Sequence, residues 1–128
     1  MRVAILQIGE VNTDVVRHVQ KGLCEAFPHT ECVVLDDTLA IPKEAYNAER
    51  NQYHSTVILS MINHFVKKVE TRIDRVLGVV DVDLYVPHLN FVFGEAECTG
   101  RTALISLFRL KPQFYGRSEN RELFPMRS

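Results

Sequence analysis

The chain has 128 residues, of which 46% are apolar and 24% are charged, and this composition is typical of one soluble globular domain. Its 15 basic and 16 acidic side chains leave a net charge of -1, without the basic excess that is typical of nucleic-acid-binding proteins. No apolar run approaches the roughly 20 residues that cross a bilayer. The sequence therefore predicts neither a nucleic-acid partner nor a membrane partner.

The first half of the chain alternates between predicted strands and helices. Residues 3–8 form a short apolar run interrupted by Gln7, which favours a strand buried on both faces of a parallel sheet. Apolar residues at helical spacing follow, with Asn12 or Thr13 as the cap and Pro28 as the end of the helix. Residues 32–35 predict a second strand followed by an acidic turn at Asp36 and Asp37. The polar residues 36–51 predict a loop.

A second, longer helix is predicted from Tyr53 onwards, with Lys67 and Lys68 in its last turn, where they oppose the helix dipole. Residues 76–80 predict a third buried strand. The order strand, helix, strand, helix, strand indicates right-handed crossovers and a parallel sheet. Eight residues form the apolar face of the predicted helix: Tyr53, Val57, Ile58, Met61, Ile62, Phe65, Val66 and Val69.

The pattern changes in the second half. Residues 91–97 alternate between two unlike faces, and residues 103–110 form a further apolar run, with Gly100 between them for a turn. This arrangement predicts a hairpin, so the strand at residues 91–97 is antiparallel to its neighbour. The predicted fold class is α/β: a twisted, mostly parallel five-stranded sheet with an antiparallel edge strand and two main helices. Residues 1–128 are predicted to form a single domain, in which residues 111–128 begin a truncated C-terminal element.

The cysteines and histidines suggest no metal or disulfide framework. Three cysteines at wide spacing predict a reduced cytoplasmic protein with small buried thiols. No two histidines are three or four residues apart, so no helix presents a histidine pair to a metal. The set of Asp81, Asp83 and His88 leaves a metal site as an alternative, but its spacing fits no defined loop and a turn is the favoured interpretation.

Two carboxylates, Glu95 and Glu97, are predicted to lie on one face of the edge strand. Such a pair can divide acid and base roles when the two environments separate the pKa values. The favoured interpretation is simpler: the charges keep an exposed edge strand soluble.

Two segments carry a resemblance to a known family. Residues 45–59, AYNAERNQYHSTVIL, resemble the helix-entry motif of the archaemetzincins, which are zinc-dependent metallopeptidases. Residues 83–97, DLYVPHLNFVFGEAE, resemble the strand-loop-strand segment of that family, and residues 105–110 are similar to its following strand. The resemblance implies a metzincin-like N-terminal subdomain and peptide hydrolysis by zinc-bound water.

The zinc motif of that family, H-E-x-x-H-x-x-G-x-x-H, does not occur in the 128 residues. The resemblance therefore offers no catalytic residue and no metal ligand in this chain. It implies zinc as the cofactor of the full-length family enzyme and none for this chain alone. It also implies that extended peptide substrate pairs with the edge strand. Phe93, Gly94 and Glu95 are the predicted substrate-binding residues, with Gly94 allowing a substrate backbone to approach closely.

Together these observations predict the N-terminal, substrate-supporting subdomain of an archaemetzincin-like zinc metallopeptidase, inactive as the 128-residue chain. An alternative is a non-catalytic binding module that captures an extended peptide at its edge strand. A third possibility is self-association through the same edge.

Overall fold

The computed structural model of the protein describes residues 1–68, 73–97 and 100–110. Neither helix in these ranges is long and apolar enough to cross a membrane. The elements, in chain order, are β1 (Arg2–Ile8), α1 (Thr13–Ala26), β2 (Glu31–Leu39), β3 (Tyr46–Asn47), β4 (Gln52–His54), α2 (Ser55–Lys68), β5 (Arg75–Val80), β6 (Leu84–Tyr85), β7 (Gly94–Ala96) and β8 (Thr102–Ser106).

The main sheet has the strand order β2-β1-β5-β8-β7. All its neighbouring strands run parallel except β7, which is antiparallel to β8. The predicted α/β class, the five strands, the two helices and the antiparallel edge strand are therefore confirmed. A second sheet of three short strands, in the order β3-β4-β6, was not predicted.

The two helices pack against opposite faces of the main sheet, as the alternation of side chains along β1 shows. Leu6 belongs to the apolar cluster that contains Ile58 and Ile62 of α2. Ile5, the preceding residue, belongs to the cluster that contains Val16 of α1. Because consecutive strand residues point to opposite faces, β1 is covered on both sides. This explains why Val3, Ala4, Ile5, Leu6 and Ile8 of β1 are all apolar.

The helix ends follow the sequence signals only in part. The side chain of Asn12 accepts hydrogen bonds from the backbone N–H groups of Asp14 and Val15, so the predicted cap of α1 is confirmed. The second helix begins at Ser55, two residues later than predicted. The reason is that Tyr53 and its neighbour pair with β6 as part of β4, a long-range contact that helical periodicity does not reveal. Val69 lies outside the described residues.

The predicted turn at Asp36 and Asp37 is wrong, because β2 continues to Leu39. Pairing with β1 shifts register there: Ile5 pairs with Val34, and after the irregularity Gln7 pairs with Thr38. The acidic residues therefore lie in an irregularity within the strand. The predicted loop at residues 36–51 also contains a short 3-10 helix, Lys43–Ala45, and β3.

The two predicted strands of the hairpin are shorter in the structure. The edge strand covers Gly94–Ala96 rather than residues 91–97. Its neighbour ends at Ser106 because the chain then turns through a 3-10 helix, Phe108–Leu110. The Ser106 hydroxyl accepts a hydrogen bond from the backbone N–H of Phe108 and supports this turn. Residues 111–128, the predicted C-terminal element, lie outside the described residues.

The two described cysteines are free thiols. Cys32 is buried, as predicted, whereas Cys24 is exposed, so the prediction of a buried thiol is wrong there. Burial raises the pKa of the Cys32 thiol to about 11, and the neighbouring thiol of Cys24 adds to the increase. Cys98 lies outside the described residues.

Candidate functional site

The edge strand β7 pairs with β8 through alternate residues. The carbonyl oxygen of Phe93 accepts a hydrogen bond from the Ser106 N–H at 2.8 Å, and the Glu97 N–H donates to the Thr102 carbonyl oxygen at 3.0 Å. In an antiparallel pair, residues between such positions direct their N–H and C=O groups to the other side. Gly94 and Ala96 therefore present their backbone groups along the outer edge of the sheet, and in the described part of the chain no strand pairs with them.

Gly94 is required by the sheet itself. A Cβ built at this position would be placed against the carbonyl oxygen of Leu104 and 3.2 Å from the Cα of Ile105. Any larger residue would therefore push β7 away from β8. The sequence prediction selected this glycine for a close approach of substrate, whereas the close approach that the structure shows is to the neighbouring strand.

Phe93 lies at the upstream end of β7 and is 54% exposed. Its ring contacts that of Phe91 edge-on, with the ring centroids 5.3 Å apart. Between these two residues, the backbone N–H of Val92 donates to the Leu84 carbonyl oxygen at 2.9 Å. The small sheet thus adjoins this end of β7, and the free part of the edge begins at Gly94.

Glu95 attaches the edge strand to the beginning of α2. Its carboxylate accepts hydrogen bonds from the Ser55 hydroxyl at 2.5 Å and the Thr56 hydroxyl at 2.9 Å. A carboxylate at a helix N-terminus also interacts favourably with the helix dipole. The Glu95 side chain is therefore directed towards α2, and its bonds fix the position of the strand.

Glu97 makes a second connection to the same helix. Its carboxylate accepts a hydrogen bond from the Asn63 side-chain amide at 3.2 Å, and the Thr102 hydroxyl donates to the Asn63 amide oxygen at 2.5 Å. The two glutamates lie on one face of β7, as predicted. Both are half-buried and hydrogen-bonded, so they anchor the strand instead of only carrying exposed charge.

A polar network holds the loop that precedes the edge strand. The Arg50 guanidinium donates to the carbonyl oxygen of Leu89 at 2.6 Å and lies 4.1 Å from the centre of the Tyr85 ring. The buried Gln52 amide donates to the carbonyl oxygen of Asn90 at 2.8 Å and to the Asp83 carboxylate at 3.0 Å. Side chains near β4 therefore fix backbone carbonyls of this loop.

Asp83 joins this network to the end of the described chain. Arg109 binds both of its carboxylate oxygens, at 2.8 Å and 3.0 Å. Burial by itself would raise the pKa of Asp83, but hydrogen bonds from Arg109 and Gln52 and the charge of Arg109 outweigh it, so the pKa lies below its usual value. The hydrogen bond to Asp83 likewise raises the pKa of Arg109. The pair is therefore ionised near neutral pH.

The described residues do not fit a catalytic zinc ion. Among residues 1–68, 73–97 and 100–110, no group of three or more His, Cys, Asp or Glu side chains is placed to hold a metal. The alternative metal site considered above was the set of Asp81, Asp83 and His88. In the structure the Asp83 carboxylate already accepts hydrogen bonds from Arg109 and Gln52. A zinc site needs three or four such donors around one point. We therefore assign no reaction step through a metal to these residues.

Comparison with known proteins connects this scaffold to a family. The sequence profile of peptidase family M54 matches residues 9–128. The chain is 43% identical over 128 residues to the archaemetzincin of Methanocaldococcus jannaschii, a match that covers 100% of this chain and 66% of that protein. The chain belongs to the archaemetzincin family. The resemblance identified in the sequence is therefore confirmed.

Solved archaemetzincin structures share the fold. The archaemetzincin of Archaeoglobus fulgidus, crystallised with malonate, superposes with a TM-score of 0.71 at 37% identity, covering 87% of this chain and 63% of that one. A zinc-dependent peptidase of Methanocorpusculum labreanum gives a TM-score of 0.73 at 25% identity, covering 89% of this chain and 68% of that one. The chain thus spans about two thirds of the length of the archaemetzincins it matches.

The sequence prediction missed the polar network of this archaemetzincin chain. Arg109 and Asp83 are 26 positions apart, and Arg50 and Leu89 are 39 apart. Hydrophobic periodicity carries no signal for such pairs because the contacts are polar and the partners are distant in sequence. Arg109 itself lay inside the apolar run at residues 103–110 that was predicted as a strand.

Proposed function

We propose that this chain is the N-terminal, substrate-supporting part of a zinc metallopeptidase, and that β7 holds extended peptide substrate along its outer edge. The observation that carries the proposal is the pair of outward-facing backbone positions, Gly94 and Ala96, on a strand that Glu95 and Glu97 attach to α2. Membership of a peptidase family supports a peptide as the partner.

Strand addition explains how such an edge binds a peptide. The backbone N–H and C=O groups of the edge supply the affinity, and side-chain pockets on alternate positions supply the selectivity. The outward backbone groups of Gly94 and Ala96 are not paired with any strand in the described part of the chain, and the exposed ring of Phe93 offers an apolar contact at one end. Glu95 acts by holding the strand. Phe93, Gly94 and Glu95 remain the proposed substrate-binding site: Phe93 and Gly94, joined by Ala96, contact the peptide, and Glu95 holds the strand that binds it.

The hydrolytic chemistry is proposed to come from residues outside the described ones. The family implies zinc, which activates a bound water for attack on a peptide carbonyl, but the zinc motif of the family does not occur in the 128 residues. We therefore propose that the 128-residue chain is inactive alone. A cytoplasmic location remains a prediction from the odd number and wide spacing of the cysteines.

Ala96→Pro tests the edge directly. Proline removes the outward N–H at this position, whereas Ala96→Val retains it and serves as the control. We expect the proline variant to bind a short, extended, fluorescently labelled peptide about fivefold to tenfold more weakly, which corresponds to one lost hydrogen bond of about 1 kcal/mol. Val92 is unsuitable for this test because its N–H is bonded to Leu84.

The measurement is fluorescence anisotropy on the 128-residue chain, with Ala96→Val expected to bind like the wild type. Equal affinity of the proline and valine variants would count against the edge as the binding site. Chelator-sensitive peptide hydrolysis by the 128-residue chain with added zinc would overturn the proposed inactivity.

The alternative functions give other outcomes. Peptide binding by the full-length protein without any zinc-dependent hydrolysis would indicate a non-catalytic binding module. Concentration-dependent dimerisation that Ala96→Pro abolishes would indicate self-association through the edge strand, because the same N–H groups pair with a second copy.

A further inference from the structure

The chain leaves the main sheet through a tightly held turn. The backbone N–H of Leu107 donates to the Val80 carbonyl oxygen at 2.9 Å. The Ser106 hydroxyl donates to the Val82 carbonyl oxygen at 2.5 Å and accepts from the Phe108 N–H at 3.1 Å. The direction of the chain at the end of β8 is therefore fixed against the segment that follows β5.

Arg109, the next residue along this turn, binds two further parts of the molecule. Its guanidinium makes a two-pronged contact with Asp83, at 2.8 Å and 3.0 Å. The same group lies 3.8 Å from the centre of the Phe91 ring. Phe91 is three residues before β7, so one planar side chain links the outgoing chain to the approach of the edge strand.

The anchor for Arg109 is itself held in place. The side chain of Asp83 is 13% exposed, and its carboxylate also accepts a hydrogen bond from Gln52. The same Gln52 amide donates to the carbonyl oxygen of Asn90, in the loop before β7. The carboxylate therefore joins β4, the loop before the edge strand and the outgoing chain at one point.

We propose that Arg109 and Asp83 are positioning residues for peptide hydrolysis: they fix the chain that leaves β8 relative to the edge strand, so that a peptide on β7 is aligned with the part of the enzyme that cleaves it. This inference rests on the proposed function. A guanidinium suits this role because it is planar. Its two hydrogen bonds to Asp83 and its stacking on the Phe91 ring are both made only when the plane has the right orientation.

The geometry separates this role from simple stabilisation. A salt bridge with one half-exposed partner contributes little to folding, and the Arg109 side chain is 41% exposed. A two-pronged contact nevertheless restricts both distance and angle. Because catalysis is sensitive to misplacement of about 1 Å, loss of this restriction affects turnover more than stability.

The test uses the full-length protein with Arg109→Met, Arg109→Lys and Asp83→Asn. Lysine preserves the positive charge but lacks the paired N–H donors and the flat surface of a guanidinium. This variant therefore separates the effect of the contact geometry from the effect of the charge. The control variants are Arg2→Met and Glu31→Gln, which break an exposed ion pair of 3.6 Å at the start of β1 and β2. For each protein, kcat and KM are measured on a fluorogenic peptide, together with zinc content and the midpoint of thermal unfolding.

We expect Arg109→Met and Asp83→Asn to lower kcat by about tenfold to a hundredfold, with KM and zinc content changed less than about twofold. Arg109→Lys is expected to restore part of the loss, and the two control variants to behave like the wild type. This split between kcat and KM, with graded rescue, is not expected from a purely structural role.

Three results would overturn the inference. Unchanged kcat in Arg109→Met and Asp83→Asn, with an active wild type, overturns it while the proposed function stands. A loss of kcat that parallels zinc loss or unfolding at the assay temperature shows a structural role only. Absence of zinc-dependent hydrolysis by the wild type overturns the proposed function, and with it this inference.

Discussion

The main sheet and the polar network beside the small sheet are held by different interactions. In the main sheet, Leu6, Ile62 and Leu104 are fully buried in one apolar cluster between β1, β8 and α2. Beside the small sheet, Gln52 and Asp83 are held by hydrogen bonds to Asn90 and Arg109. Apolar burial is non-directional, whereas hydrogen bonds depend on distance and angle. We infer that the main sheet supplies stability and that the polar network supplies placement.

The two kinds of interaction meet at the edge strand β7. The free edge strand is attached to α2 by Glu95, and its upstream end adjoins the small sheet through Val92. A perturbation of the apolar core is therefore expected to change the free energy of unfolding, and a perturbation of the network is expected to change the position of the edge. Three substitutions, in order of decreasing effect, test this division.

The largest effect is expected from Ile62→Ala, which opens a cavity between α2 and the sheet. Ile62 is fully buried, and a Cβ at Gly78 would be only 2.5 Å from its Cδ1, so the site is tightly packed. We expect the free energy of unfolding to fall by about 2 to 5 kcal/mol. Leu89→Ala, at a position that is 48% exposed, is expected to cost less than about 0.5 kcal/mol. Urea denaturation measures the free energy of unfolding of the two variants. Similar losses in both would contradict the inference that the apolar core supplies the stability.

An intermediate effect is expected from Gly94→Ala. The new methyl group would meet the carbonyl oxygen of Leu104, and forcing the strands apart is expected to destabilise the chain by about 1 to 3 kcal/mol. Gly22→Ala is the matched control. Gly22 lies within α1, and a Cβ added there would point into open space, so alanine is expected to stabilise by about 0.5 to 1 kcal/mol. Urea denaturation measures the two changes in the free energy of unfolding, which are expected to have opposite signs. An unchanged free energy of unfolding in Gly94→Ala would show that β7 and β8 can move apart without loss of stability.

The smallest effect on stability is expected from Asp83→Asn, about 0.5 to 1 kcal/mol near neutral pH after allowing for the solvent screening of Arg109. The pKa of Asp83 is lowered from 3.8 in the folded state, so its contribution is present above the unfolded value. It is lost as the pH falls through the folded value. Asparagine does not titrate.

The stability difference between wild type and Asp83→Asn should therefore shrink between about pH 7 and about pH 3. Urea denaturation at both pH values measures it, with Glu31→Gln as a control carboxylate that is 66% exposed. A difference that stays constant with pH would show that Asp83 does not stabilise the fold through its charge.

The sequence predicted the centre of the main sheet well because β1 and β5 are mostly buried on both faces. The apolar run at residues 3–8 corresponds to β1, and the run at residues 76–80 corresponds to β5. Gly100 correctly marked the turn before β8, since it adopts a positive φ of 86°. Elements whose formation depends on distant partners were missed. Tyr53 was assigned to a helix because its apolar spacing fits one, yet it pairs with Leu84.

The candidate site shows the same limit. Gly94 was selected for close contact with substrate, which stays a prediction, whereas its close contact with β8 was not predicted. Glu95 and Glu97 were placed on the right face, but their partners on α2 lie 40 and 34 positions away. Arg109 was not selected at all. Whether a polar residue is exposed or bonded is decided by the approach of another segment, which local patterns do not encode.

The sequence alone determined the class of fold, the antiparallel edge and the archaemetzincin family, because these depend on the order of buried segments and on two long motifs. Only the tertiary structure decided which groups of the edge face outwards and which side chain joins that edge to the outgoing chain. The physical reason is that burial follows from local periodicity, whereas hydrogen bonds such as that between Arg109 and Asp83 require atoms distant in sequence to meet within about 3 Å.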